Sequence, residues 1–309
     1  MNYLFFEEAL FSPRTFAQKV LVRLLAPLSF IYSLFATRSF VKKSLAQNKF
    51  DAEIPVISVG NLIVGGSGKT PLTAAIARFF YDRGVGKIAI VSRGYKRKSK
   101  NLIVLDEKSD FNYAGDEAIL YRELLPKAIV IVSRDRKLGI TKAKELGAEM
   151  IFLDDGFRHK DILKTDILIK PAPEPANNFC LPAGYYRLPK NFYKFADFIA
   201  VEGEDFNRIV KVENGAEKMI LITAIARSNR LDKFLPQNVI AKYSFPDHSA
   251  FDFEHIKSLM RFHGADAILV TQKDLVKLAG FDAPIALLKL EIALADRLKT
   301  FLLKSAQKS

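Results

Sequence analysis

A glycine-rich run followed by lysine and threonine is the first feature of the sequence that points to chemistry. Residues 65–70 read Gly-Gly-Ser-Gly-Lys-Thr, between a β-rich run over 54–60 and a run with helical spacing over 69–83. Such a turn lets backbone N–H groups converge on phosphate oxygens, and the helix N-terminus adds partial positive charge. We expect Lys69 to reach the terminal phosphates of ATP and the Thr70 hydroxyl to bind Mg²⁺. The run therefore predicts an ATP-dependent kinase built around a P-loop.

The predicted nucleotide-binding segment departs from the usual P-loop at one position. The usual motif has a glycine five residues before Gly68, where this chain has Ile63. The preceding strand, the three glycines and the following helix argue against a chance match. The segment comprises Ile63, Val64, Gly65, Gly66, Ser67, Gly68, Lys69 and Thr70.

Two pairs of acidic residues are candidates for the remaining chemistry. The predicted strand over 150–153 ends in Asp154 and Asp155, and P-loop enzymes hold magnesium with an acid at such a place. Many strands simply end in a polar turn, so the P-loop is what favours the metal role for one of the two. Asp116 and Glu117 open another predicted helix. Carboxylates there either suit the helix N-terminus or face the γ-phosphate, where one would act as a base.

The elements that position these residues alternate along the chain. Short apolar runs typical of buried strands alternate with helical patterns, which predicts a mostly parallel sheet. The predicted fold class is α/β, a P-loop NTPase-like sheet with helices on both faces, a smaller C-terminal α/β domain and an N-terminal membrane-associated helix. We expect strands over 197–202 and 208–213 to pair around a polar turn. The predicted units are an N-terminal helical segment (1–45), a nucleotide-binding domain (46–203), a two-stranded linker (204–215) and a C-terminal domain (216–309).

The N-terminal segment is apolar and framed by cations. Residues 20–36 are almost wholly apolar except for Arg23, and basic residues lie on both sides of them. The run is short for crossing ~30 Å of hydrocarbon, and Pro27 weakens a spanning helix further. Basic ends around an apolar strip are typical of a helix that lies in the membrane interface, which we favour over a core helix.

Charge and the scarce residue types restrict the partners and sites. Lys and Arg exceed Asp and Glu by 13 in the 309 residues, which predicts an anionic partner. The basic residues are dispersed and no nucleic-acid-binding motif is present, so we expect no nucleic acid partner. The single cysteine, Cys180, excludes an internal disulfide framework. The four histidines lack metal-ligand spacing, although His248 lies in a predicted loop after a strand.

Ordered motifs from about residue 56 to 275 resemble the tetraacyldisaccharide 4'-kinases, the lipid A 4'-kinases. That family also lacks the first P-loop glycine. The matching runs are VGNL (59–62), GGSGKTP (65–71), VSRGY (91–95), AGDE (114–117), LDDGF (153–157), LPAG (181–184), FPDH (245–248) and TQKD (271–274).

The resemblance implies transfer of the ATP γ-phosphate to the 4'-hydroxyl of tetraacyldisaccharide 1-phosphate, a lipid A precursor. It implies a peripheral enzyme on the cytoplasmic face of the bacterial inner membrane, with ATP and Mg²⁺ as cofactors. By position, Asp116 is the implied catalytic base and His248 its partner, while Lys69 stabilises phosphate charge. The implied residues around Mg²⁺ are Thr70, Glu117 and Asp155, with Asp154 beside them.

The chain departs from the family pattern at some positions. Gln272 replaces a glutamate, Arg158 replaces a commoner glutamine, and residues 224–228 lack an expected glycine and proline. The alternatives are a P-loop kinase of a soluble small molecule and a membrane-associated NTPase switch that phosphorylates no acceptor.

Overall fold

The structure of the chain is a computed structural model, which describes residues 3–65, 67–94, 97, 99–106, 109, 111–225, 228–246 and 249–306. The described residues form two β-sheets, each with helices packed against it. The larger sheet follows two N-terminal helices, and the smaller one occupies much of the C-terminal third of the chain.

The larger sheet is almost entirely parallel. Its strands are β1 (Val56–Gly60), β2 (Ile88–Ser92), β3 (Ile103–Val104), β4 (Ile129–Val132), β5 (Met150–Asp154), β6 (Thr165–Lys170) and β7 (Phe198–Val201). They lie in the order β3-β4-β2-β5-β1-β6-β7, and only β3 runs antiparallel to its neighbour. Every residue of β1, β2 and β5 is buried, because helices cover both faces of the sheet. The predicted α/β fold class with a mostly parallel sheet is confirmed.

The connections place chemistry-bearing residues at one edge of this sheet. The helices between its strands are α3 (Lys69–Tyr81), α4 (Phe111–Ala114), α5 (Asp116–Leu124) and α6 (Arg136–Glu145), followed by a 3₁₀ helix (Lys190–Phe195). Val59 near the end of β1 pairs in register with Asp154 at the end of β5. The loop after β1 and the two aspartates therefore lie side by side at the carboxyl ends of parallel strands, where α/β proteins bind ligands.

The smaller sheet contains β8 (Phe206–Glu213), β9 (Met219–Thr223), β10 (Val239–Ser244), β11 (Ala267–Thr271) and β12 (Ile285–Leu294) in the order β10-β9-β11-β12-β8. A 3₁₀ helix (Ser228–Phe234), α7 (Phe253–His263) and α8 (Gln272–Leu275) connect them. The predicted pairing of the strands over 197–202 and 208–213 is wrong. β7 instead adds to the larger sheet beside β6, and β8 pairs antiparallel with β12. Each strand forms a longer run of backbone pairs with its neighbour in a sheet than the two strands could form around the short turn between them.

The last helix returns to the larger sheet. α9 (Asp296–Ala306) follows β12, yet its Leu298 and Leu302 are fully buried in the core that also contains Ile57 and Phe152 of the larger sheet. The ring of Phe301 lies 4.7 Å from that of Phe198. The chain thus crosses between the two sheets twice, before β8 and after β12. The linear division into units stays a prediction.

Two helices form the N-terminal segment, α1 (Tyr3–Phe11) and α2 (Phe16–Ser44). α2 begins with a capping box, in which the backbone N–H of Gln18 donates to the Thr15 hydroxyl and the Gln18 side chain accepts from the Thr15 N–H. Its 29 residues span about 43 Å. By length and composition alone it could cross a membrane: its most apolar 18-residue window has a mean hydropathy of 1.7 and is 11% buried.

One face of α2 is fixed to the protein. The Ser29 hydroxyl donates to the Cys180 carbonyl oxygen at 2.6 Å, and Phe40 is buried against the rings of Phe157 and Phe192. The helix is therefore part of the folded body and holds a defined orientation relative to the larger sheet.

Candidate active site

The loop after β1 turns sharply into α3. Gly65 and Gly68 have φ angles of +83° and +87°, a left-handed conformation that favours glycine. Lys69 and Thr70 form the first residues of α3, where the backbone N–H groups have no partner within the helix. The turn therefore gives an anion-binding end to the helix. Gly66, predicted to bind the nucleotide, lies outside the described residues.

The first part of the loop is pinned to a second segment of chain. Ile63 forms an isolated antiparallel bridge with Tyr186, and the Val64 N–H donates to the Tyr185 carbonyl oxygen at 2.9 Å. The Ile63 side chain is fully buried in the core beside Tyr186. Of the predicted nucleotide-binding residues, Ile63 therefore offers only its backbone, and its bulk replaces a glycine because the position faces the protein interior.

Asn61 holds the second part of the loop. Its side-chain N–H donates to the Ser67 hydroxyl at 2.7 Å, and its amide oxygen accepts from Lys69 at 3.5 Å and from Arg187 at 2.6 Å. Asn61 is 3% exposed, so these bonds form away from water. The network orients the side chains of Lys69 and Ser67.

Asp155 forms a two-bonded ion pair with Arg187. Both of its carboxylate oxygens accept hydrogen bonds from the Arg187 guanidinium, at 2.5 and 2.8 Å. Burial by itself would raise the pKa of Asp155, but the charges of Arg187 and Lys69 outweigh burial and hold that pKa well below its ordinary value. Asp155 is thus a permanent anion that fixes Arg187 beside Asn61.

Asp154 differs from Asp155 in both its hydrogen bonding and its pKa. Its Oδ1 is buried and has no hydrogen-bond partner among the described residues. Burial, together with the negative charges of Glu117 and Asp155, raises the pKa of Asp154 to about 7 against the opposing charges of Lys69 and Arg136. A buried carboxylate with an unused oxygen and a raised pKa is stabilised by an added cation.

The arrangement suits a magnesium ion carried by a nucleotide better than a free-standing metal centre. No group of three His, Cys, Asp or Glu residues with metal-ligand geometry occurs in the described ranges. Mg²⁺ in nucleotide sites needs only one or two carboxylates, because phosphate oxygens and waters complete its shell. Glu117, Asp154 and the Thr70 hydroxyl offer that oxygen donor set next to Lys69, and the orphaned Asp154 oxygen fits it.

Asp116 lies at the N-terminus of α5, next to Glu117. It follows Gly115, whose φ of +89° lets the chain turn into the helix. Asp116 is 6% exposed; one of its oxygens accepts the Glu117 N–H at 2.9 Å, and the other lies 3.6 Å from the Lys273 amino group. The structure thus brings Asp116 and Lys273 of the smaller domain together. His248, the predicted partner of Asp116, lies outside the described residues.

A buried carboxylate positions the segment that carries Lys273. Asp274 is fully buried and accepts hydrogen bonds from the Thr223 hydroxyl at 2.7 Å, the Thr271 hydroxyl at 2.8 Å and the Ala224 N–H at 3.1 Å. Next to it, the Gln272 side-chain oxygen accepts the N–H of Leu290 at 2.9 Å. A glutamate would accept the same bond, so the departure at Gln272 preserves the local structure.

A basic cavity of about 740 Å³ joins these residues to α2. Lys69, Glu117, Asp154 and Asp155 line one part of it, and Phe40 of α2 lines another. Four further cationic side chains face the cavity: Lys43, Arg93, Arg134 and Arg158. In the part of the chain that the structure describes, these four form no side-chain hydrogen bond or ion pair. They therefore leave positive charge available to an anionic ligand.

His159 lines the same cavity but adds no charge at neutral pH. Burial, with the nearby charges of Lys43 and Arg136, lowers the pKa of His159 to about 4. The ring is consequently neutral at pH 7 and available as a hydrogen-bonding group.

A second cavity of about 470 Å³ lies on the other side of Lys69, between the two sheets. Lys69 and Glu117 line both cavities. The second cavity is mainly apolar, and Leu120, Val210 and Leu288 contribute to its wall. Two ligands could therefore approach Lys69 and Glu117 from different sides.

Sequence reasoning missed several residues of the site. Asn61 and Lys273 lie in matching runs but have no predicted role, and Arg136 and Arg187 lie outside those runs and have none either. Arg136 is buried and donates to the Asp154 carbonyl oxygen at 2.8 Å. The matching run LPAG (181–184) is the sequence signal nearest to Arg187, and nothing in its spacing links Arg187 to Asp155.

The chain matches one family model over nearly its whole length. The model, described as tetraacyldisaccharide-1-P 4'-kinase, matches residues 21–219 and 207–307. The chain belongs to this family. The tetraacyldisaccharide 4'-kinase of Aliarcobacter butzleri is 47% identical over 290 residues, which cover 91% of this chain and 89% of that protein. The tetraacyldisaccharide 4'-kinase of Helicobacter pylori strain J99 is 42% identical over 296 residues, covering 94% and 92%.

A solved structure has a fold similar to that of this chain. The crystal structure of LpxK from Aquifex aeolicus in complex with ATP matches with a TM-score of 0.73 and 29% identity. The match covers 93% of this chain and 99% of that one. The 4'-kinase family predicted from the ordered motifs is thereby confirmed. The roles of individual residues remain predictions.

Proposed function

We propose that the protein transfers the γ-phosphate of ATP to the 4'-hydroxyl of tetraacyldisaccharide 1-phosphate in lipid A biosynthesis. The observation that carries this proposal is the basic cavity. It connects the helix start at Lys69 with a long, largely exposed apolar helix, α2, by way of the four cationic side chains that face it. An acceptor with a phosphorylated sugar head and acyl chains fits both ends of such a cavity. Family membership and the relatives named above support the same activity.

ATP would bind with its phosphates against residues 63–70. The helix N-terminus and Lys69 would stabilise the charge on the terminal phosphates, which grows as the bond to the leaving oxygen breaks. Thr70, Glu117 and Asp154 would hold Mg²⁺, which neutralises phosphate charge when bound. We prefer Asp154 over Asp155 as the ligand, because both oxygens of Asp155 already bond Arg187.

Asp116 would act as the base toward the acceptor. The 4'-hydroxyl oxygen attacks the γ-phosphorus, its proton passes to a carboxylate oxygen of Asp116, and ADP leaves with the bridging oxygen. Lys273, 3.6 Å from Asp116, would balance the charge of the carboxylate before the reaction. His248 remains the proposed partner of Asp116 from the family resemblance alone.

The acceptor phosphate would bind to the four cationic side chains that face the basic cavity. Lys43 is carried by α2, whereas Arg93, Arg134 and Arg158 come from the loops of the larger sheet. Arg158 adds a planar guanidinium where the family more often has a neutral glutamine. Guanidinium groups bind phosphate in a bidentate manner, so this position would strengthen retention of the 1-phosphate.

The exposed apolar side of α2 would face the membrane that holds the acyl chains of the acceptor. Leu24, Leu28, Ile31 and Phe35 are each at least half exposed and follow one another on a single helical face. The opposite face is fixed to the protein through Ser29 and Phe40, which leaves the apolar stripe free for a lipid surface. We propose that the protein docks on the cytoplasmic face of the bacterial inner membrane, where ATP and the lipid meet, without spanning it.

The test is a transfer assay in detergent with γ-labelled ATP, Mg²⁺ and tetraacyldisaccharide 1-phosphate. We expect label in the lipid for the wild type, a loss of at least about 100-fold for Asp116→Asn, and no change for Asp296→Asn. Asp296 is a matched control because its side chain is 97% exposed on α9. Label that is found only as free phosphate would indicate an NTPase switch. Transfer to a soluble sugar alone would indicate the small-molecule kinase.

A further inference from the structure

Arg208 reaches the nucleotide loop from a strand of the other sheet. It lies on β8, near the crossing between the two sheets, and its Nη2 donates to the Ser67 carbonyl oxygen at 3.0 Å. Its Nη1 forms an ion pair with Glu202 at 2.8 Å, and the two side chains are 14% and 17% exposed. The contact joins residues 141 positions apart in sequence. It is the kind of partly buried, charge-assisted hydrogen bond that fixes geometry.

The contact orients a peptide group of the loop. In a trans peptide the carbonyl oxygen and the following N–H point in opposite directions. Holding the Ser67 carbonyl toward Arg208 therefore turns the Gly68 N–H away from Arg208. A Cβ added to Gly68 would lie 2.7 Å from Nη2 of Arg208, so the glycine also permits this close approach.

Arg208 and Asn61 hold Ser67 from two sides. Asn61 donates to the Ser67 hydroxyl at 2.7 Å, while Arg208 donates to its carbonyl oxygen. The Arg208 guanidinium also lines the cavity between the sheets, together with Lys69 and Thr70. Its charge is thus close to the helix start where phosphates would bind.

The start of β8 is itself fixed. Asp205 is fully buried, accepts the Val201 N–H at 2.8 Å and bonds Arg297 through both oxygens, at 2.6 and 2.5 Å. The Asp205 carbonyl oxygen also accepts the N–H of Ala295 at 2.7 Å, which joins the two crossings between the sheets. Arg208 therefore extends from a rigid point rather than from a mobile linker.

We propose that Arg208 is a positioning residue for the nucleotide: it sets the Ser67–Gly68 peptide so that the loop binds the polyphosphate of ATP, and it ties the loop to the strand between the sheets. The inference rests on the proposed use of this loop for ATP. It concerns the affinity for the nucleotide rather than the affinity for the lipid.

The test compares Arg208→Gln, Arg208→Lys and the control Lys211→Gln in the full-length protein. Lys211 lies on the same strand, but its side chain is 64% exposed and forms only a 4.0 Å ion pair. Binding of a fluorescent ATP analogue with Mg²⁺ and the KM values for ATP and lipid would be measured. We expect Arg208→Gln to weaken ATP binding about 10-fold, the loss expected for a charged hydrogen bond. Lysine should restore part of it, and the lipid KM should stay within about 2-fold of wild type.

Unchanged ATP affinity in Arg208→Gln would overturn the proposal, as would an equal loss in Lys211→Gln or a parallel rise in both KM values. If Arg208→Gln does not fold, Arg208→Lys decides, because a lysine keeps the charge but cannot bond Ser67 and Glu202 through two separate nitrogens. We expect it to weaken ATP binding about 3-fold; wild-type affinity would refute the role. A wild type that binds ATP but transfers nothing to lipid would contradict the proposed function and leave this inference testable.

Discussion

Replacing Asp154 with asparagine should stabilise the metal-free protein while it abolishes phosphotransfer. The Asp154 carboxylate is buried at the end of β5, its Oδ1 has no partner, and its pKa is raised. The folded protein therefore holds a charge that its surroundings oppose. Asparagine has nearly the same shape and no charge, so it removes this opposition but cannot bind Mg²⁺ as a carboxylate does.

The size of the effect follows from the disfavoured charge, since the asparagine amide would keep a buried polar atom at the same place. One unit of pKa corresponds to about 1.4 kcal/mol, and we take the relief of this charge as about 1–3 kcal/mol. For a protein of this size 1 kcal/mol corresponds to about 2–4 °C in Tm. We therefore expect Asp154→Asn to raise the Tm of the metal-free protein by about 2–12 °C at pH 8.

The effect should depend on pH with a defined sign. The pKa of Asp154 is about 7 in the folded protein, against 3.8 as its ordinary value. Between these values the folded protein holds a proton that the unfolded chain has lost, so stability falls as pH rises through this interval. The Tm advantage of Asp154→Asn should consequently be small near pH 4 and reach its maximum above about pH 7.

Scanning calorimetry in EDTA at several pH values measures this directly, and Asp155→Asn provides the contrast. Asp155 is paired with partly buried Arg187, so its loss leaves an unpaired charge and should destabilise by about 3–5 kcal/mol. Neighbouring aspartates should thus give opposite signs. A lower Tm for Asp154→Asn at pH 8, or equal shifts for both variants, would refute the reasoning.

Three further predictions concern the membrane face, the loop support and the cavity histidine. Leu28→Ser with Phe35→Ser should lower recovery with anionic vesicles and cut transfer to vesicle-borne lipid about 10-fold, while KM for ATP in detergent stays unchanged. Arg187→Gln should lower the free energy of unfolding by about 3 kcal/mol in urea titrations and weaken ATP binding, because it leaves the partly buried Asp155 carboxylate without its partner. His159→Gln should show less loss of Tm between pH 7 and 5 than the wild type. The folded protein keeps this ring neutral while the unfolded chain takes up a proton. Unchanged vesicle recovery would contradict the first prediction, an unchanged urea midpoint the second, and equal pH slopes of Tm the third.

The periodic parts of the fold could be predicted from the sequence. Runs such as that over 88–92 are apolar throughout because both faces of their strands are buried, and glycines before Lys69 marked the turn into α3. β6 was missed because only three apolar residues stand between Asp166 and Lys170. The pairing of β7 and β8 was mistaken because closeness in sequence suggested a hairpin, whereas each strand finds a partner far along the chain.

The site was predictable as a set of residue types but not as a network. The motifs identified Lys69, Asp116 and Asp154, since each lies at the end of a strand or the start of a helix. The sequence shows two adjacent aspartates and cannot show that Asp155 pairs with Arg187 whereas Asp154 keeps a free oxygen among the described residues. This difference depends on Arg187, which reaches Asp155 only because residues 180–187 fold back onto the loop after β1.

The position of the transferred phosphate tests the central proposal most directly. The product of a reaction with tetraacyldisaccharide 1-phosphate, ATP and Mg²⁺ would be purified and its phosphorus–proton couplings recorded by ³¹P NMR. The proposed activity predicts two phosphomonoesters, the original one at position 1 and a new one coupled to the proton at position 4'. A new phosphate on another hydroxyl, a diphosphate at position 1 or unchanged lipid with free phosphate would contradict it.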